Sequence, residues 1–578
     1  MKMDRRTLLA AASIAALGGS AAFMLTRKRP PDASARPRAD LKAEVRRDLN
    51  VLFILTDQER ARHLLPKVPL PQRDRLIERS TVFRNAMAVT NLCSTSRGTI
   101  YSGRHPQTNG LWDNTPLPYA SDLRLDIPTL GTMMQDAGFT TGYFGKWHLS
   151  SLPDEEPIGA EKFAALVARY GFDETDQDGE RDGPRYGFRF DPKTAASAAA
   201  FIRRSKDGDK PWFAAVNFVN PHDIMFLKTS DAQAHSRVLR FPGTIEDAPE
   251  DPIYARDWSL GLPDNFGLST LAGKPPAQHE MQRVMELSLG EIPLSDEKAW
   301  RFYQNYYANC LVDVDRWIGF LIEELVRTGQ DDRTVVIFAS DHGEMGGVHG
   351  LREKGANLYR EASNVPLWIW HPDVAGGVET DALASLVDIA PTLMGLIGVD
   401  DEVLRNAYPP FAGIDLSRAL GANAARDFTA GGRSAVLGQW TSLIHQSTEA
   451  VHAAAKVLST KGPIDKVSYL FDERRRSLGA KRGAMRGLFD GRHKFARYFS
   501  PRDHHAPASF NELVARNDLE LYDTAADPGE VRNLAADPQV ADRKLVEALN
   551  RRLNELIAAE VGIDDGSFLP GPNSLWAV

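Results

Sequence analysis

The sequence predicts an α/β fold, with a mostly parallel central sheet flanked by helices and a smaller C-terminal α+β domain containing an antiparallel sheet. Three apolar runs predict the central sheet: residues 50–55, 212–218 and 334–339. Uninterrupted runs of this length are typical of strands buried on both faces, as in parallel sheets. Helical patterns at 123–137 and 300–327 lie between the runs, and this alternation indicates helical crossovers between parallel strands.

Composition and charge narrow the function classes. A chain of 578 residues is too long for one ordinary compact domain, so we expect two or more. The content of 43% hydrophobic and 25% charged residues is typical of a folded soluble protein. The net charge is −8, so the chain lacks the excess of basic residues that is typical of nucleic-acid-binding proteins, and we expect no nucleic-acid partner. The two cysteines, Cys93 and Cys310, exclude a disulfide framework and allow one bridge at most.

The N-terminal residues have the pattern of a targeting segment. Adjacent arginines at 5 and 6 precede an apolar stretch at 8–25, and a basic run follows. This order is typical of a signal peptide, and the paired arginines resemble a twin-arginine export signal. The apolar stretch is 18 residues long, the lower limit for crossing a bilayer, so a retained membrane anchor is the alternative. We expect a signal or anchor at 1–29, a linker at 30–48, and an exported or periplasmic protein.

Acidic, amide and imidazole side chains follow the three predicted strands. Asp57 and Gln58 follow the first strand, His222 follows the strand at 212–218, and Asp341 and His342 follow the last. In open α/β sheets, ligands bind beyond the carboxyl ends of the strands. The sequence therefore predicts an active site at this edge of the sheet.

The character of the chain changes after about residue 430. The pair Asp490-Gly491 separates two apolar runs, which predicts a β-hairpin, and an amphipathic pattern at 540–560 predicts a final helix. We therefore divide the folded chain into a larger domain at 49–430 and a smaller one at 431–578. The irregular insert at 225–297 and the loops of 430–485 are expected to shape the rim of the pocket.

The segment Cys93-Ser94-Thr95-Ser96-Arg97, followed by Ser102-Gly103, resembles the sulfatase signature. That signature is Cys-x-Pro/Ala-Ser-Arg with a later Ser/Thr-Gly. In the family, a formylglycine-generating enzyme oxidises the cysteine to formylglycine, whose hydrated aldehyde supplies the attacking oxygen. Thr95 departs from the pattern, because the family has Pro or Ala at this position, which the modifying enzyme reads. The resemblance implies an alkaline-phosphatase-like fold and a nucleophile derived from Cys93.

Further motifs extend the resemblance. Gly145-Lys146-Trp147-His148 is similar to the second family signature, in which the lysine contacts sulfate and the histidine contacts the formylglycine hydroxyl. His222 matches the histidine that protonates the leaving group, and Lys354 matches a second sulfate-binding lysine. The catalytic residues that the resemblance implies are Cys93, Arg97, Lys146, His148, His222 and Lys354. The metal ligands that it implies are Asp57, Gln58, Cys93, Asp341 and His342.

The donor types bear on the metal. Carboxylate and amide oxygens suit Ca²⁺, whereas the reduced charge and added nitrogen of Gln58 and His342 keep Mn²⁺ and Mg²⁺ open. The motifs occur in the family's order from about residue 49 to 545, so the resemblance implies a sulfatase catalytic domain at 49–430.

The function implied is hydrolysis of small-molecule or glycan sulfate esters. One alternative is a phosphonate monoester or phosphodiester hydrolase of the same superfamily, which shares the formylglycine and suits the Asp-Gln and Asp-His pairs. The other is a non-catalytic family member that lacks the modification, which Thr95 suggests. The two lysines and two histidines argue against it, since a dead site needs no general acid.

Overall fold

The computed structural model describes residues 39, 41, 45–46, 48–115, 120–152, 159–176, 183–238, 243–267, 271–443, 445, 447–449, 451–452 and 481–569. The expected signal or anchor at 1–29 and most of the expected linker at 30–48 lie outside these residues. Leu41, within the expected linker, is buried against the core. Within the described part of the chain, no helix combines the length and the apolar character that crossing a bilayer requires.

The strands form two sheets, and their bounds are β1 Asn50–Asp57, β2 Thr81–Met87, β3 Thr140–Gly145, β4 Glu174–Thr175, β5 Trp212–Pro221, β6 Thr334–Ser340, β7 Leu367–Trp370, β8 Val378–Ser385, β9 Val436–Trp440, β10 Ala484–Phe489, β11 His493–Phe499 and β12 Asp518–Asp523. The larger sheet has the order β4-β3-β5-β1-β6-β7-β2-β8. Its pairings are parallel except for those that β7 makes with β6 and β2. The predicted α/β class with a mostly parallel central sheet is confirmed.

The helices have the bounds α1 Pro71–Glu78, α2 Cys93–Ser102, α3 Pro106–Asn109, α4 Leu130–Asp136, α5 Ala160–Ala168, α6 Tyr186–Arg204, α7 Asp231–Ser236, α8 Pro276–Leu289, α9 Glu297–Thr328, α10 Arg360–Ser363, α11 Ile389–Leu396, α12 Asp401–Ala407, α13 Ala422–Gly431, α14 Phe510–Arg516 and α15 Arg543–Glu560. Helix α9 contains the whole predicted stretch at 300–327. The pattern at 123–137 yields only α4, because the helix begins at a capping box in which Thr129 and Thr132 exchange side-chain and backbone hydrogen bonds.

The register of the central strands brings their carboxyl ends together. Strand β1 lies between β5 and β6, with Thr56 opposite Ser340 and Asp57 opposite Pro221. Strand β3 lies on the far side of β5 and ends opposite Asn217. Every residue of β1, β5 and β6 is buried, as their apolar sequences predict. The polar side chains that follow these strands therefore meet at one edge of the sheet.

The C-terminal part of the chain forms the smaller sheet. Strands β12, β11, β10 and β9 pair in that order, all antiparallel. The predicted hairpin is β10–β11, with Gly491 in the left-handed region at φ 92°. Helix α15 packs its buried residues, such as Leu549 and Leu553, in one cluster with residues of this sheet. The antiparallel C-terminal sheet is confirmed, whereas the domain boundaries stay a prediction.

Candidate active site

Helix α2 presents Cys93 to the strand ends. The helix begins at Cys93, and all ten of its residues are buried. The Oγ of Ser96 donates a hydrogen bond of 2.6 Å to the backbone carbonyl of Asp341, which ties the first turn of the helix to the end of β6. Cys93 and Cys310 are both free thiols, so the one bridge that two cysteines allow is not formed.

Four buried side chains converge beside this helix. One donor atom from each of Asp57, Cys93, Asp341 and His342 lies within 4.8 Å of the others. The Sγ of Cys93 is 3.1 Å from Nε2 of His342 and 3.9 Å from Oδ1 of Asp57. The His342 Nε2 is 3.7 Å from Oδ1 of both Asp57 and Asp341.

The backbone sets the tautomer of His342. Its Nδ1 lies 3.0 Å from the carbonyl oxygen of Gly343. Because a carbonyl only accepts, Nδ1 carries the proton and Nε2 keeps its lone pair. Burial and the charge of Lys354 lower the pKa of His342 to about 3. The imidazole therefore faces the cluster as a neutral donor atom.

Arg97 links the two carboxylates of the cluster. Its Nε donates to Oδ2 of Asp341 at 3.2 Å, and its Nη2 donates to Oδ2 of Asp57 at 3.4 Å. The Nη1 donates to the carbonyl of Lys146 and to Oδ1 of Asn217, both at 3.1 Å. The guanidinium is fully buried, so its charge offsets carboxylate charge in a medium that screens little.

Two lysines flank the cluster. The Nζ of Lys146 lies 3.0 Å from Oδ2 of Asp57, and the Nζ of Lys354 donates to Oε1 of Gln58 at 2.8 Å. Both side chains are buried. Burial lowers the pKa of Lys354, but the neighbouring acidic groups of Cys93, Glu353 and Asp57 raise it overall. Two ammonium groups thus face the cluster from different elements, one after β3 and one in the loop after β6.

The pKa values of both predicted catalytic histidines, His148 and His222, are shifted by charged side chains of the site. The Nε2 of His148 lies 2.8 Å from the carbonyl of Thr115. Burial and the charges of Lys146 and Arg97 lower the pKa of His148 well below its ordinary value. Burial, Lys146 and Lys354 do the same to His222, which opens a short 3₁₀ helix at His222–Phe226 directly after β5.

The electrostatics of the cluster fit a bound cation. Burial alone would raise the pKa of Asp57, but Lys146, His222 and His342 hold it well below its usual range. Burial and the charge of Asp57 raise the pKa of Asp341 well above its ordinary value. A divalent cation between the two carboxylates would favour the charged form of both. The donor set that the structure brings together, two carboxylates, one imidazole nitrogen and the side chain of Cys93, therefore fits a divalent metal.

The backbone at the site includes uncommon conformations. Gln58, His148 and Glu353 have φ values of 70°, 54° and 65°. Residues other than glycine rarely adopt this left-handed region, and such strain concentrates at functional sites. Together with the side-chain contacts described above, these positions show that the structure brings the predicted catalytic residues and the predicted metal ligands to one edge of the sheet.

Sequence reasoning missed several buried polar neighbours. Asn217, near the end of β5, accepts hydrogen bonds through Oδ1 from Arg97 and, at 2.8 Å, from the hydroxyl of Tyr101. Glu344 and Glu353 accept hydrogen bonds from the amide of Gln58, and the hydroxyl of Tyr303 donates to both carboxylates. Glu344 follows Asp341-His342 by two residues, and this acidic residue in the same turn was the available signal. Nothing in the sequence connects Tyr303 to position 58.

A cavity lies beside the loop that carries Lys354. Its volume is about 340 Å³, and its walls include Pro276 and Glu280 of α8, Ala356, Trp440 and His445. Burial and the charge of Lys354 lower the pKa of His445 to about 3, so this wall lies within the field of the site. The predicted insert and the C-terminal part of the chain both contribute to this cavity.

Known proteins resemble this chain in sequence and in fold. Residues 49–399 match the family model described as Sulfatase. The curated relatives include an ulvan-active sulfatase from Formosa agariphila, 26% identical over 61% of this chain and 62% of that protein. An N-acetylglucosamine-6-O-sulfatase from Bacteroides thetaiotaomicron is 26% identical over 62% of this chain and 69% of that protein. The chain thus aligns with less than two thirds of the first of these relatives.

Solved structures with the same fold include both sulfatases and a phosphonate hydrolase. A 2-O GAG sulfatase superposes with a TM-score of 0.61 at 21% identity, covering 88% of this chain and 92% of that one. A phosphonate monoester hydrolase from Silicibacter pomeroyi gives 0.60 at 20% identity, covering 89% and 96%. The family model spans more than half of the sequence and includes Cys93 and both pairs of strand-end residues. The chain belongs to the sulfatase family.

Proposed function

We propose that this protein hydrolyses sulfate esters with a nucleophile made by oxidation of Cys93 to formylglycine. One divalent cation would be held by Asp57, Gln58, residue 93, Asp341 and His342. Among the ions considered, Ca²⁺ is the one that we favour. The observation that supports this most is the convergence of four donor atoms within 4.8 Å of one another, between the ammonium groups of Lys146 and Lys354.

The protonation of the Cys93 thiol supports the proposal that this residue is modified before it acts as a nucleophile. Burial and the charge of Asp57 raise the pKa of its thiol to about 12. At neutral pH the sulfur is therefore protonated, and a thiol is a far weaker nucleophile than a thiolate. Oxidation by a formylglycine-generating enzyme during maturation would place a hydrated aldehyde at this position. Such a hydrate supplies hydroxyl groups in the same buried setting.

The chain's own residues meet the other demands of the reaction. A divalent cation held by Asp57, Asp341 and His342 would supply Lewis-acid polarisation of a sulfate oxygen and would lower the pKa of a nearby hydroxyl group. Lys146 and Lys354 bind the remaining sulfate oxygens and offset charge that develops in the transition state. Arg97 holds both carboxylates in place through its hydrogen bonds to Asp57 and Asp341.

Two histidines are proposed to move protons. His222 donates a proton to the departing alcohol or phenol, a contribution of roughly 10²–10⁴ in rate. His148 accepts a proton from residue 93 in the step that releases sulfate. Burial and the nearby lysines favour the neutral form of His222 in the free site. The negative charge of a bound sulfate ester opposes those lysines, so substrate binding favours the protonated acid.

The organic part of the substrate would occupy the cavity beside Lys354. Relatives are named for ulvan, N-acetylglucosamine and choline, which favours a glycan or small-molecule sulfate ester. We propose that Trp440 and the insert helix α8 contact this part. Truncating the insert should change substrate preference more than affinity for sulfate, and an unchanged substrate profile would contradict this assignment.

Export belongs to the same proposal. The twin-arginine-like segment at 1–29 would direct a folded protein out of the cytoplasm. Cation loading and oxidation of Cys93 could then both be complete before the protein reaches the periplasm, where it would act free or anchored.

The proposed function is tested by mass spectrometry of residue 93 and by assays of ester hydrolysis. Peptide mass spectrometry across Cys93 in the exported protein should show an aldehyde in place of the thiol. Purified wild-type protein should hydrolyse an aryl sulfate, and Cys93→Ala should reduce kcat/KM by about 10³-fold or more. Turnover that survives Cys93→Ala would reject the nucleophile. An unmodified peptide from protein without hydrolytic activity would favour a non-catalytic family member.

A second candidate is hydrolysis of phosphonate monoesters or phosphodiesters. The similarity in fold to the phosphonate monoester hydrolase and the uncharged Gln58 beside Asp57 favour it. Sulfate and phosphonate monoesters share a tetrahedral centre and a single negative charge, so the lysine pair serves either. A parallel assay with an aryl sulfate and a phenyl phosphonate ester at equal concentration separates the two, through the ratio of the kcat/KM values.

A further inference from the structure

The amide of Gln58 is enclosed by groups that leave it one orientation. Its Nε2 donates to Oε2 of Glu344 and to Oε2 of Glu353, the latter at 3.0 Å. Its Oε1 accepts from Nζ of Lys354 at 2.8 Å. An ionised carboxylate only accepts and an ammonium only donates. The flipped amide would place Oε1 against two carboxylates and the NH₂ group against an ammonium.

The two glutamates are themselves held in place. Oε1 of Glu344 accepts from the backbone N–H groups of Gly346 at 2.8 Å and Glu353 at 2.9 Å. The hydroxyl of Tyr303 donates to Oε1 of Glu344 at 3.0 Å and lies 3.3 Å from Oε1 of Glu353. All of these side chains are completely buried. The pair is therefore a fixed acceptor surface behind residue 58.

We infer that Glu344 and Glu353 are positioning residues that turn the Gln58 carbonyl oxygen toward Lys354 and the metal site. This inference rests on the proposed function, because it takes Gln58 as a ligand. It also accounts for an amide at position 58. A third carboxylate there would lie against two others in a medium of low dielectric, whereas the amide gives one N–H to each glutamate.

The inference is tested by exchanging the amide at position 58 and the carboxylate at position 353, first singly and then together. Glu353→Gln removes an acceptor and offers donors that stabilise the flipped Gln58 amide. Gln58→Glu places three carboxylates together. Each should weaken binding of Ca²⁺ or Mn²⁺ roughly 10- to 100-fold, the range for groups that support metal ligands. The double variant Gln58→Glu/Glu353→Gln restores one amide between two acids, so its loss should be smaller than the product of the two single losses.

Glu361→Gln is the matched control. Glu361 is a buried carboxylate near the same loop, and its Oε1 accepts from Nε of Arg360 at 2.9 Å. This variant should keep the wild-type dissociation constant within about twofold. Tyr303→Phe is the milder probe if the glutamate variants fold poorly, since it deletes only the hydroxyl between the carboxylates, and a several-fold loss of affinity is expected.

Dissociation constants come from isothermal titration of the metal-stripped protein, and unfolding in a chelator gives a second cycle for the same four proteins. Additive losses, or unchanged affinity in Glu353→Gln and Tyr303→Phe, would overturn the inference. The inference would also be overturned if positions 58 and 353 were coupled in the free energy of unfolding measured in chelator but not in the metal dissociation constant. Gln58, Glu344 and Glu353 would then have a purely structural role. Wild-type protein that binds no cation and hydrolyses neither ester would instead reject the proposed function, and this inference with it.

Discussion

The Sγ of Cys93 lies 3.1 Å from Nε2 of His342. Since the Nδ1 proton of His342 points to the carbonyl of Gly343, the thiol is the donor in this contact and the imidazole nitrogen the acceptor. The residue proposed for modification and a proposed metal ligand are thus direct neighbours. The proposed oxidation at position 93 would replace sulfur with oxygen in contact with the donor set, and would so link maturation of the nucleophile to assembly of the proposed metal site.

Removal of the divalent cation should lower stability as well as activity. Asp57 and Asp341 are buried side by side, and a cation relieves their repulsion. A free cation concentration of 100 times its dissociation constant adds about 2.7 kcal/mol to the free energy of unfolding. Thermal unfolding with chelator and with added Ca²⁺ measures this difference. Asp341→Asn should lose the cation-dependent gain, and an equal gain in that variant would place the cation elsewhere.

Thr95→Ala should raise the fraction of Cys93 that is converted to formylglycine. The family pattern has Pro or Ala at this position, so the substitution brings the segment closer to the sequence that the modifying enzyme reads. The folded protein should tolerate it, because the buried Oγ1 of Thr95 has no hydrogen-bond partner within the described structure, and removing such a group costs little. Quantitative mass spectrometry of the Cys93 peptide from wild-type and variant proteins gives the comparison. An equal or lower aldehyde fraction in the variant would contradict it.

His222→Ala should slow turnover by roughly 10²–10⁴ for alkyl sulfates and by much less for a nitrophenyl sulfate, whose leaving group needs little protonation. The acid form of His222 is lost as pH rises through its pKa in the enzyme–substrate complex. Wild-type kcat for alkyl esters should therefore fall on the alkaline side. Rate profiles from pH 5 to 9 should show this limb in wild type and not in the variant. Equal losses for both leaving groups would remove His222 from the role of general acid.

Asp223 should make stability fall between about pH 4 and 7. Burial raises the pKa of this carboxyl to about 7, although it accepts hydrogen bonds from the backbone of Gly187 and Phe188. Between the unfolded and folded pKa values the folded state binds the extra proton. Each unit of rising pH in this window therefore costs up to about 1.4 kcal/mol, and the loss is complete above pH 7.

Asp223→Asn removes this titration. Its free energy of unfolding, measured in urea at pH 4, 5.5 and 7, should decline less steeply than that of wild type. The exposed Asp209 provides the control substitution, Asp209→Asn, which should leave the slope unchanged. Identical slopes for wild type and Asp223→Asn would assign the pH dependence to other buried carboxyls.

Local sequence determined the strands and the polar residues that end them. Apolar runs of six or seven residues are short for a buried helix and fit strands covered on both faces, so 50–55, 212–218 and 334–339 predicted β1, β5 and β6. The Asp490-Gly491 pair predicted the β10–β11 hairpin, because glycine accepts the positive φ that the turn requires. The segment from Cys93 to Gly103 identified the family through residue types at fixed spacing.

Only the tertiary structure decided which distant side chains meet. The order β3-β5-β1-β6 places Lys146, His222, Asp57 and Asp341 along one edge, and strand order depends on packing across the whole chain. The side-chain amide of Gln58 donates hydrogen bonds to Glu344 and Glu353, which lie 286 and 295 residues further along the chain. Hydrogen-bond partners of this kind are set by burial and register, since a buried amide must find donors and acceptors wherever the fold supplies them.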